Sequence, residues 1–295
     1  MRFNENILGA MIMSVCMMAY VVNDGMMKFL FVDIPLFQAI FLRGILTIAP
    51  LIMIMWYKGA IFTRLTGRDW RFVAMRVCAE VGATILFLTA LKNMPLANVS
   101  AILQALPLAV TMAAALFLGA PVGWRRWSAI LVGFSGVMIV IRPGLDGFSI
   151  YSLYALCAVG FITLRELTTH KLSREVPSIT VALATSVAIT IVGAVMMPGT
   201  PWVPLSGQSW LVLGIASCAI ICGYLFSVMA MRTGEISFVA PFRYTAMVWA
   251  ISLGIFLFGE WPDKLTMLGT AMIILTGIYS FHREQIRQRA ETLNQ

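Results

Sequence analysis

Charged side chains inside long apolar runs are the residues of this chain whose types and spacing could do chemistry. Asp24 and Lys28 are spaced i, i+4 in the first run, and Arg76 and Glu80 have the same spacing in the third. A charge at bilayer depth costs at least about 2.5 kcal/mol, so each of these residues needs a partner or a function. The spacing would let each pair neutralise itself on one helix face. Alternatively, Asp24 or Glu80 loses its partner in one conformation and binds a proton or a cationic substrate group, so the four form proton or ion-pair gates.

Arg243 lies in an apolar run and has no acid within one helical turn. It follows Pro241, which frees a backbone carbonyl toward any cavity. It also lies beside Tyr244, with Trp249 further along the same run. A guanidinium near aromatic rings suits a planar or carboxylate-bearing ligand. We therefore predict substrate contacts for Arg243, Tyr244 and Trp249, with an interhelical ion pair as the alternative for Arg243.

Arg43 is the second arginine without a nearby acid in sequence. We include it among the substrate-binding candidates, although a cross-helix ion pair with Asp24 is equally compatible with the sequence. Arg165 and Glu166 end the sixth apolar run, and we predict that they lie at the cytoplasmic interface.

The composition places all of these residues in a membrane. Of 295 residues, 60% are hydrophobic and 12% are charged, and the mean hydropathy is +0.89. A soluble domain would carry roughly twice that charged fraction. About 20 mostly apolar residues cross the hydrocarbon core as a helix. We therefore predict an all-α polytopic membrane protein with ten transmembrane spans, at 7–30, 35–57, 70–91, 96–118, 124–142, 149–168, 177–197, 209–231, 235–258 and 264–281.

The basic residues are unequally divided between the two sets of loops. With a cytoplasmic N-terminus, the cytoplasmic segments hold Arg2, Lys58, Arg64, Arg68, Arg71, Arg125, Arg126, Lys171, Arg174, Arg232, Arg283, Arg287 and Arg289. The opposite segments hold Lys92, Arg142 and Lys264, with Lys28 near that boundary. The positive-inside rule then predicts that both termini are cytoplasmic, and we expect an inner-membrane protein. Because the net charge of +8 is scattered over short loops, we predict the lipid bilayer and no nucleic acid as a partner.

The chain also repeats itself. Ala90–Val99 aligns with Ala230–Val239, and Leu116–Gly119 aligns with Leu257–Gly259 after a one-residue slip. Five spans separate the copies, so the second copy is inverted relative to the first, as in many carriers with one central site. In this alignment Gln104 matches Tyr244, and we predict that it faces the same cavity. We divide the chain into a first five-helix repeat, a second five-helix repeat and a cytoplasmic tail, at 1–142, 143–282 and 283–295.

Three stretches, Pro95–Pro107, Arg125–Val137 and Phe258–Asp263, accompany the ten spans and the duplicated halves. In this combination the chain resembles the ten-helix, EamA-type branch of the drug/metabolite transporter superfamily. The resemblance implies that helices 1–4 and 6–9 enclose a central cavity, with helices 5 and 10 outside it.

A finer resemblance is carried by Asn23–Lys28 and Ala240–Thr245. These motifs are similar to a subgroup that includes bacterial S-adenosylmethionine and riboflavin carriers. Asn23 joins the predicted substrate-binding residues on this ground. The subgroup does not share one substrate, so the motif supports the branch better than the ligand.

These observations predict a secondary transporter that moves a small organic metabolite by alternating access. The candidates are S-adenosylmethionine, riboflavin, and an amino acid or derivative, by import or export. A membrane-embedded enzyme acting on lipid-linked substrates is the alternative, but its polar residues would cluster at one membrane face. A channel would need a more polar stripe. The chain has no Gly-Lys-Ser/Thr phosphate loop, Gly-x-Ser-x-Gly elbow or His-Glu-x-x-His helix, so we predict no enzymatic activity.

No metal or cofactor is expected, because the chain has only two histidines and no Cys-x-x-Cys pair. Small residues form faces on the fifth and tenth spans, at Gly133 and Gly136 and at Gly269 and Gly277. Such faces let helices approach closely. They predict either a homodimer or close packing within one chain.

Overall fold

The computed structural model is all-helical over the residues that it describes, namely 2–57, 66–120, 122–144, 148–173, 176–233 and 236–293. Lys58, Arg64, Pro121 and Arg174, which belong to the loops considered above or to their ends, lie outside the described residues.

Ten helices account for the described part of the chain, and two of them are broken. They are α1 (Arg2–Leu30), α2 (Leu36–Tyr57), α3 (Gly67–Asn93), α4 (Leu96–Leu103 and Leu106–Leu118), α5 (Trp124–Ile141), α6 (Ile150–His170), α7 (Ser178–Val195), α8 (Gly207–Arg232), α9 (Ile236–Val239, a 3-10 turn Ala240–Tyr244, and Thr245–Phe258) and α10 (Lys264–Leu293).

The length and hydropathy of these helices make the chain a multi-pass membrane protein. Nine of the described helices are long and apolar enough to cross a bilayer, and only the apolar part of α7, Ile179–Val195, is shorter. At 1.5 Å per residue, the 18 residues of α7 still extend about 27 Å, close to the roughly 30 Å of a hydrocarbon core.

We call the membrane side on which α1 begins the first side, and the side on which α1 ends the second side. Large exposed aromatic side chains occur at both levels, as expected for the interfacial belts of a membrane protein. Trp56, Trp70 and Trp124 lie on the first side, and Trp202, Trp210 and Trp261 lie on the second side.

Helix α10 is longer than the sequence prediction. The segment from 283, predicted as a tail, continues α10 as helix to Leu293. No glycine or proline follows Gly277, and the segment is rich in Glu, Gln and Arg, which favour helix.

The breaks in α4 and α9 lie at matching positions of the two halves. The first segment of α4 ends before Gln104, and Pro107 lies in the first turn of the second segment. In α9, Pro241 lies in the first turn of the 3-10 segment. The two breaks meet, because the amide of Gln104 donates to the backbone carbonyl of Tyr244 at 3.3 Å. Gln104 thus joins the two halves of the molecule.

The helix packing is pseudo-symmetric. Each helix of the first half has a counterpart five places later in the second half. Exchanging all counterparts turns the contact between α1 and α8 into the contact between α6 and α3. The contacting pairs α2–α7, α4–α9 and α5–α10 each consist of two counterparts, so the exchange leaves them the same. Individual contacts follow the same relation. The ring of Tyr20 packs on Gly223, and the ring of Phe161 packs on Gly82. Both exchanges are shifts of 141 positions, from 20 to 161 and from 82 to 223.

The small-residue faces of α5 and α10 are used within the chain. A Cβ atom at Gly136 would lie 2.8 Å from the carbonyl oxygen of Gly269, and one at Gly269 would lie 2.6 Å from that of Gly136. A Cβ at Gly133 would collide with Leu108. These three glycines therefore allow close intramolecular packing, which is the second of the two alternatives predicted for these faces.

Ion pairs fasten α5 and α10 at both ends. Arg126 pairs with Glu284 on the first side, and Arg142 pairs with Asp263 on the second side. The hydrogen bond from Arg142 lowers the pKa of Asp263 to about 2. The helix pair α5 and α10 lies apart from the polar residues at the centre of the molecule.

Candidate functional site

Arg165 is the centre of the largest ionic group between the helices. Its Nη1 atom donates to both carboxylate oxygens of Glu80, at 3.1 and 2.9 Å, and its Nη2 atom donates to Glu166 at 2.6 Å. These contacts join α6 to α3. Arg165 and Glu166 lie near the first-side end of α6, which was predicted to reach the cytoplasmic interface, and Arg165 extends from there toward the acid on α3.

Asn23, Asp24 and Arg43 form a second polar group, between α1 and α2. Arg43 donates to the Oδ1 atom of Asn23 at 3.1 Å, and Asn23 donates to Asp24 at 2.9 Å. Arg43 is also close enough to Asp24 and Glu80 to interact with both electrostatically. The ion pair offered as an alternative for Arg43 is thus not formed directly between these two described residues, because Asn23 bridges Arg43 and Asp24.

The self-paired arrangement predicted for Arg76 and Glu80 is not formed. Glu80 binds Arg165, and Arg76 donates instead to the hydroxyls of Thr169 and Thr185, each at 2.9 Å. The guanidinium of Arg76 reaches hydroxyl groups on the two neighbouring helices α6 and α7. The carboxylate of Glu80, one turn further along α3, is bound by Arg165 of α6. Glu80 still contributes to the electrostatic environment of Arg76.

Lys28 does not pair with Asp24 either. Its ammonium donates to the Oε1 atom of Glu260 at 2.5 Å and to the backbone carbonyl of Met94 at 2.7 Å. Lys28 lies one turn from the end of α1, where Glu260, in the α9–α10 turn, is nearer than Asp24. The predicted i, i+4 pairs are thus wrong, because in both α1 and α3 the acid and the base contact different neighbouring segments.

Tyr20 and Tyr224 were not singled out by sequence reasoning, although they belong to the polar centre. Their rings meet edge to face, with centroids 6.1 Å apart. Tyr224 lies within electrostatic reach of Glu80, Arg43 and Arg165, so it connects the two polar groups. A tyrosine in an apolar helix does not stand out by sequence alone, and its proximity to four charged residues, Arg76 among them, is what identifies Tyr224.

Arg243 lies on the first-side half of the same region. It is near enough to Glu166 and to Cys16 to affect both electrostatically. Within the described part of the chain, however, no hydrogen bond or ion pair engages its guanidinium.

The other predicted substrate-binding residues are arranged differently. Tyr244 has a buried hydroxyl with no hydrogen-bond partner among the described residues, and it packs directly against Gly277 of α10. It therefore faces an outer helix. Trp249 packs against the core between α1, α2, α3 and α8, and its Nε1 atom also lacks a partner in the described part of the chain.

The polar centre carries an excess of basic residues. Four arginines share the region with three carboxylates: Arg43, Arg76, Arg165 and Arg243, and Asp24, Glu80 and Glu166. With all of them ionised, the centre has one positive charge in excess. Such a centre can bind an anionic group, and its interhelical ion pairs can be exchanged for contacts to a ligand.

The relation between the halves also places opposite charges at equivalent positions. The shift of 141 that relates Tyr20 to Phe161 carries Asp24 onto Arg165. The centre is therefore symmetric in backbone packing but not in charge, and its two ends present different groups to a bound molecule.

Comparison with known proteins supplies the family. The model of the EamA-like transporter family matches residues 7–142 and again 149–281. The chain belongs to the EamA-like transporter family. Both halves of the fold described above are thus matched by the same family unit.

Curated relatives of the chain are named as transporters. It is 25% identical over 264 residues to an S-adenosylmethionine uptake transporter of Rickettsia felis, covering 89% of this chain and 88% of that protein. It is 30% identical over 219 residues to a riboflavin transporter of Vibrio cholerae, covering 74% and 73%. It is 25% identical over 200 residues to a pseudopaline exporter of Pseudomonas aeruginosa, covering 66% and 69%. The suspected branch and subgroup are therefore confirmed, and the family and its relatives point to transport and not to enzymatic activity.

A solved structure shares the fold. A crystal structure matches with a TM-score of 0.66 at 17% identity, covering 95% of this chain and 98% of that one.

Proposed function

We propose that this chain is a secondary transporter that moves a small organic metabolite across the bacterial inner membrane by alternating access. Membership of the transporter family supports the general activity. The alternating mechanism is supported by the pseudo-symmetric packing of the two halves around one polar centre. A membrane enzyme acting on lipid-linked substrates has no comparable support.

We further propose that the substrate carries a carboxylate, and that Arg243 binds it. The observation that carries this proposal is the guanidinium of Arg243, which forms no hydrogen bond or ion pair with a described residue although it lies in a polar centre with excess positive charge. A planar guanidinium can bind a carboxylate through two parallel hydrogen bonds. Asn23, Asp24 and Arg43 would then contact the other end of the molecule.

The relatives provide the candidate substrates. One group of relatives is named for S-adenosylmethionine uptake and another for riboflavin, while a third is named for pseudopaline export. S-adenosylmethionine and amino-acid derivatives carry the carboxylate that Arg243 would bind, so we rank them before riboflavin. Import and export are both open to a carrier of this kind.

The loop charges support an orientation in which the first side is the cytoplasm. Arg68, Arg71, Arg125 and Arg126 occur at helix starts on that side, as the positive-inside rule expects. Both chain ends would then be cytoplasmic.

Ligand-induced thermal shift on the detergent-purified protein tests the substrate proposal. A compound that binds the folded state raises the unfolding midpoint. We expect a shift with S-adenosylmethionine or an amino-acid derivative, loss of that shift in Arg243→Ala, and loss of transport in vesicles with normal membrane insertion.

The matched control is Arg68→Ala, an exposed arginine at the start of α3 that stacks on Phe72. It should retain both the shift and transport. A shift that survives in Arg243→Ala would remove Arg243 from the site, and failure of Arg243→Ala to insert would give that residue a structural role instead.

A further inference from the structure

A three-way contact closes the second side of the molecule at Lys28 and Glu260. Lys28 binds Glu260 and the carbonyl of Met94, while the Oε2 atom of Glu260 accepts from the backbone N–H of Leu96 at 2.8 Å. The side chains of Lys28 and Glu260 are only 11% and 23% exposed. We call this contact the Lys28–Glu260 lock. It fastens the end of α1, the α3–α4 turn and the α9–α10 turn to one another.

The chain places no such pair at the equivalent position of the other half. The turns after α4 and α9 are alike: Gly119 and Gly259 have φ values of 66° and 64°, and the next residues, Ala120 and Glu260, donate back to Ala114 and Gly254. Position 120 is therefore the counterpart of position 260, and its methyl group cannot form an ion pair.

The counterpart of Lys28 is also uncharged. The shift of 141 positions carries Lys28 onto Thr169, whose hydroxyl donates to the carbonyl of Arg165 and accepts from Arg76. The equivalent contact on the first side thus lacks both members of the lock.

The two equivalent helix contacts also differ in packing. On the second side, α1 and α9 are close: a Cβ at Gly25 would meet Leu253 and Leu257 within 4 Å, and Lys28 lies over the ring of Phe258. On the first side, the corresponding helices α6 and α4 border, together with α3, a cleft of about 330 Å³. Phe72, Phe117, Gly160, Thr163, Leu164 and Thr168 are among the residues that line it.

We propose that the Lys28–Glu260 lock closes one of two pseudo-symmetric gates, between α1 and α9, and that the cleft between α4 and α6 is the second gate in its open position. Glu260 is then a gating residue that acts by positioning helices. This proposal rests on the alternating-access transport proposed above. Opening of the second side must break the lock, which exposes Glu260 and Lys28 to water and releases the N–H of Leu96.

Side-specific labelling of a buried cysteine tests the lock. In a background without the five native cysteines, Leu91→Cys places a thiol in the fully buried apolar cluster beneath the lock, and Met13→Cys places one in the buried first-side cluster. A membrane-impermeant maleimide is applied to each side of oriented vesicles. We expect Glu260→Gln and Lys28→Met to accelerate labelling of Leu91→Cys from the second side several-fold, without acceleration at Met13→Cys.

Asp263→Asn is the matched control. Asp263 lies in the same turn as Glu260, but its ion pair joins α5 and α10 outside the gate, so it should leave both labelling rates unchanged. Equal acceleration of both reporters by Glu260→Gln would indicate general loosening and overturn the lock. Unchanged labelling rates in both Glu260→Gln and Lys28→Met would also overturn the lock. Transport by the parent protein in the same vesicles would then leave the proposed function standing. Absence of transport by the parent, with a lock that still responds to Glu260→Gln, would instead contradict the proposed function.

Discussion

At the scale of single residues, Arg165 shows how an arginine can be kept in a membrane protein. Two carboxylates, Glu80 and Glu166, bind its guanidinium through three hydrogen bonds. Taking an ion out of water is costly, and the cost is recovered only when geometry and hydrogen bonding are good. Arg165 therefore fastens α6 to α3, and its two acids depend on it in turn.

Replacement of Arg165 by Met should destabilise the folded protein strongly. Breaking a buried ion pair by removing one partner costs about 3–5 kcal/mol, because the remaining charge is left uncompensated. Here two carboxylates would lose their donor. A denaturing-detergent titration of the purified protein measures the change in the free energy of unfolding.

The double variant Arg165→Met with Glu80→Gln is the control for this effect. It removes one of the stranded charges, so it should be less destabilised than Arg165→Met alone. If Arg165→Met is as stable as the parent, the ion pairs contribute little to the free energy of unfolding. The double variant would then be no more stable than the single variant.

Residue types in the sequence identified candidate side chains but not their partners. Asp24, Lys28, Arg76 and Glu80 were found from their charge in apolar runs. Their pairing was predicted from i, i+4 spacing, and the structure instead forms contacts between helices. Spacing along one helix does not reveal which other segment packs against that helix. In this fold, a charged side chain on the neighbouring segment lies nearer than the one on the next turn of the same helix.

At the scale of helices, the paired breaks of α4 and α9 position the site. Proline cannot donate a backbone hydrogen bond and disturbs the preceding turn. Pro107 and Pro241 accordingly accompany a change of helix segment in each half. The packing of Tyr244 against α10 could not be predicted from sequence, because it depends on the space left by Gly277.

Filling the α4–α6 cleft should stop transport. Gly160 lines the cleft, and a Cβ there would meet no atom within 4 Å. The Cβ of a phenylalanine at this position has room, and its ring would obstruct α4 when the cleft closes. We expect Gly160→Phe to insert and unfold normally while its uptake rate in vesicles falls strongly.

Gly214→Phe provides the comparison. Gly214 lies in α8, and a Cβ there also meets no atom within 4 Å. That variant should transport at the parental rate. Normal transport by Gly160→Phe would show that the cleft does not close during the cycle.

At the scale of the whole molecule, hydropathy and internal repetition predicted most of the architecture. Ten apolar runs became ten helices in the described residues, and the aligned stretches near 90 and 230 include the ends of α3 and α8 and the starts of α4 and α9. These features depend on local composition, which a sequence records directly. The polar centre depends on which helices meet, so its ion pairs and the role of Tyr224 required the structure.

Coupling to a gradient belongs to this scale, because it involves both sides of the membrane. If a proton binds Asp24 during the cycle, Asp24→Asn should still exchange substrate across the membrane but should not accumulate it against its gradient. Counterflow and net uptake, measured in the same vesicles, separate these two activities. Uphill accumulation by Asp24→Asn would exclude Asp24 as the coupling residue.

The charge difference between positions 260 and 120 has a kinetic consequence. When a binding-competent state is only fractionally populated, the apparent dissociation constant rises in inverse proportion to that fraction. A lock on one face alone therefore makes the half-saturation concentration higher at that face than at the other, even though the same residues bind the substrate from both. The equilibrium distribution of substrate is untouched, so the duplicated fold can remain reversible and yet respond to different concentration ranges on its two sides.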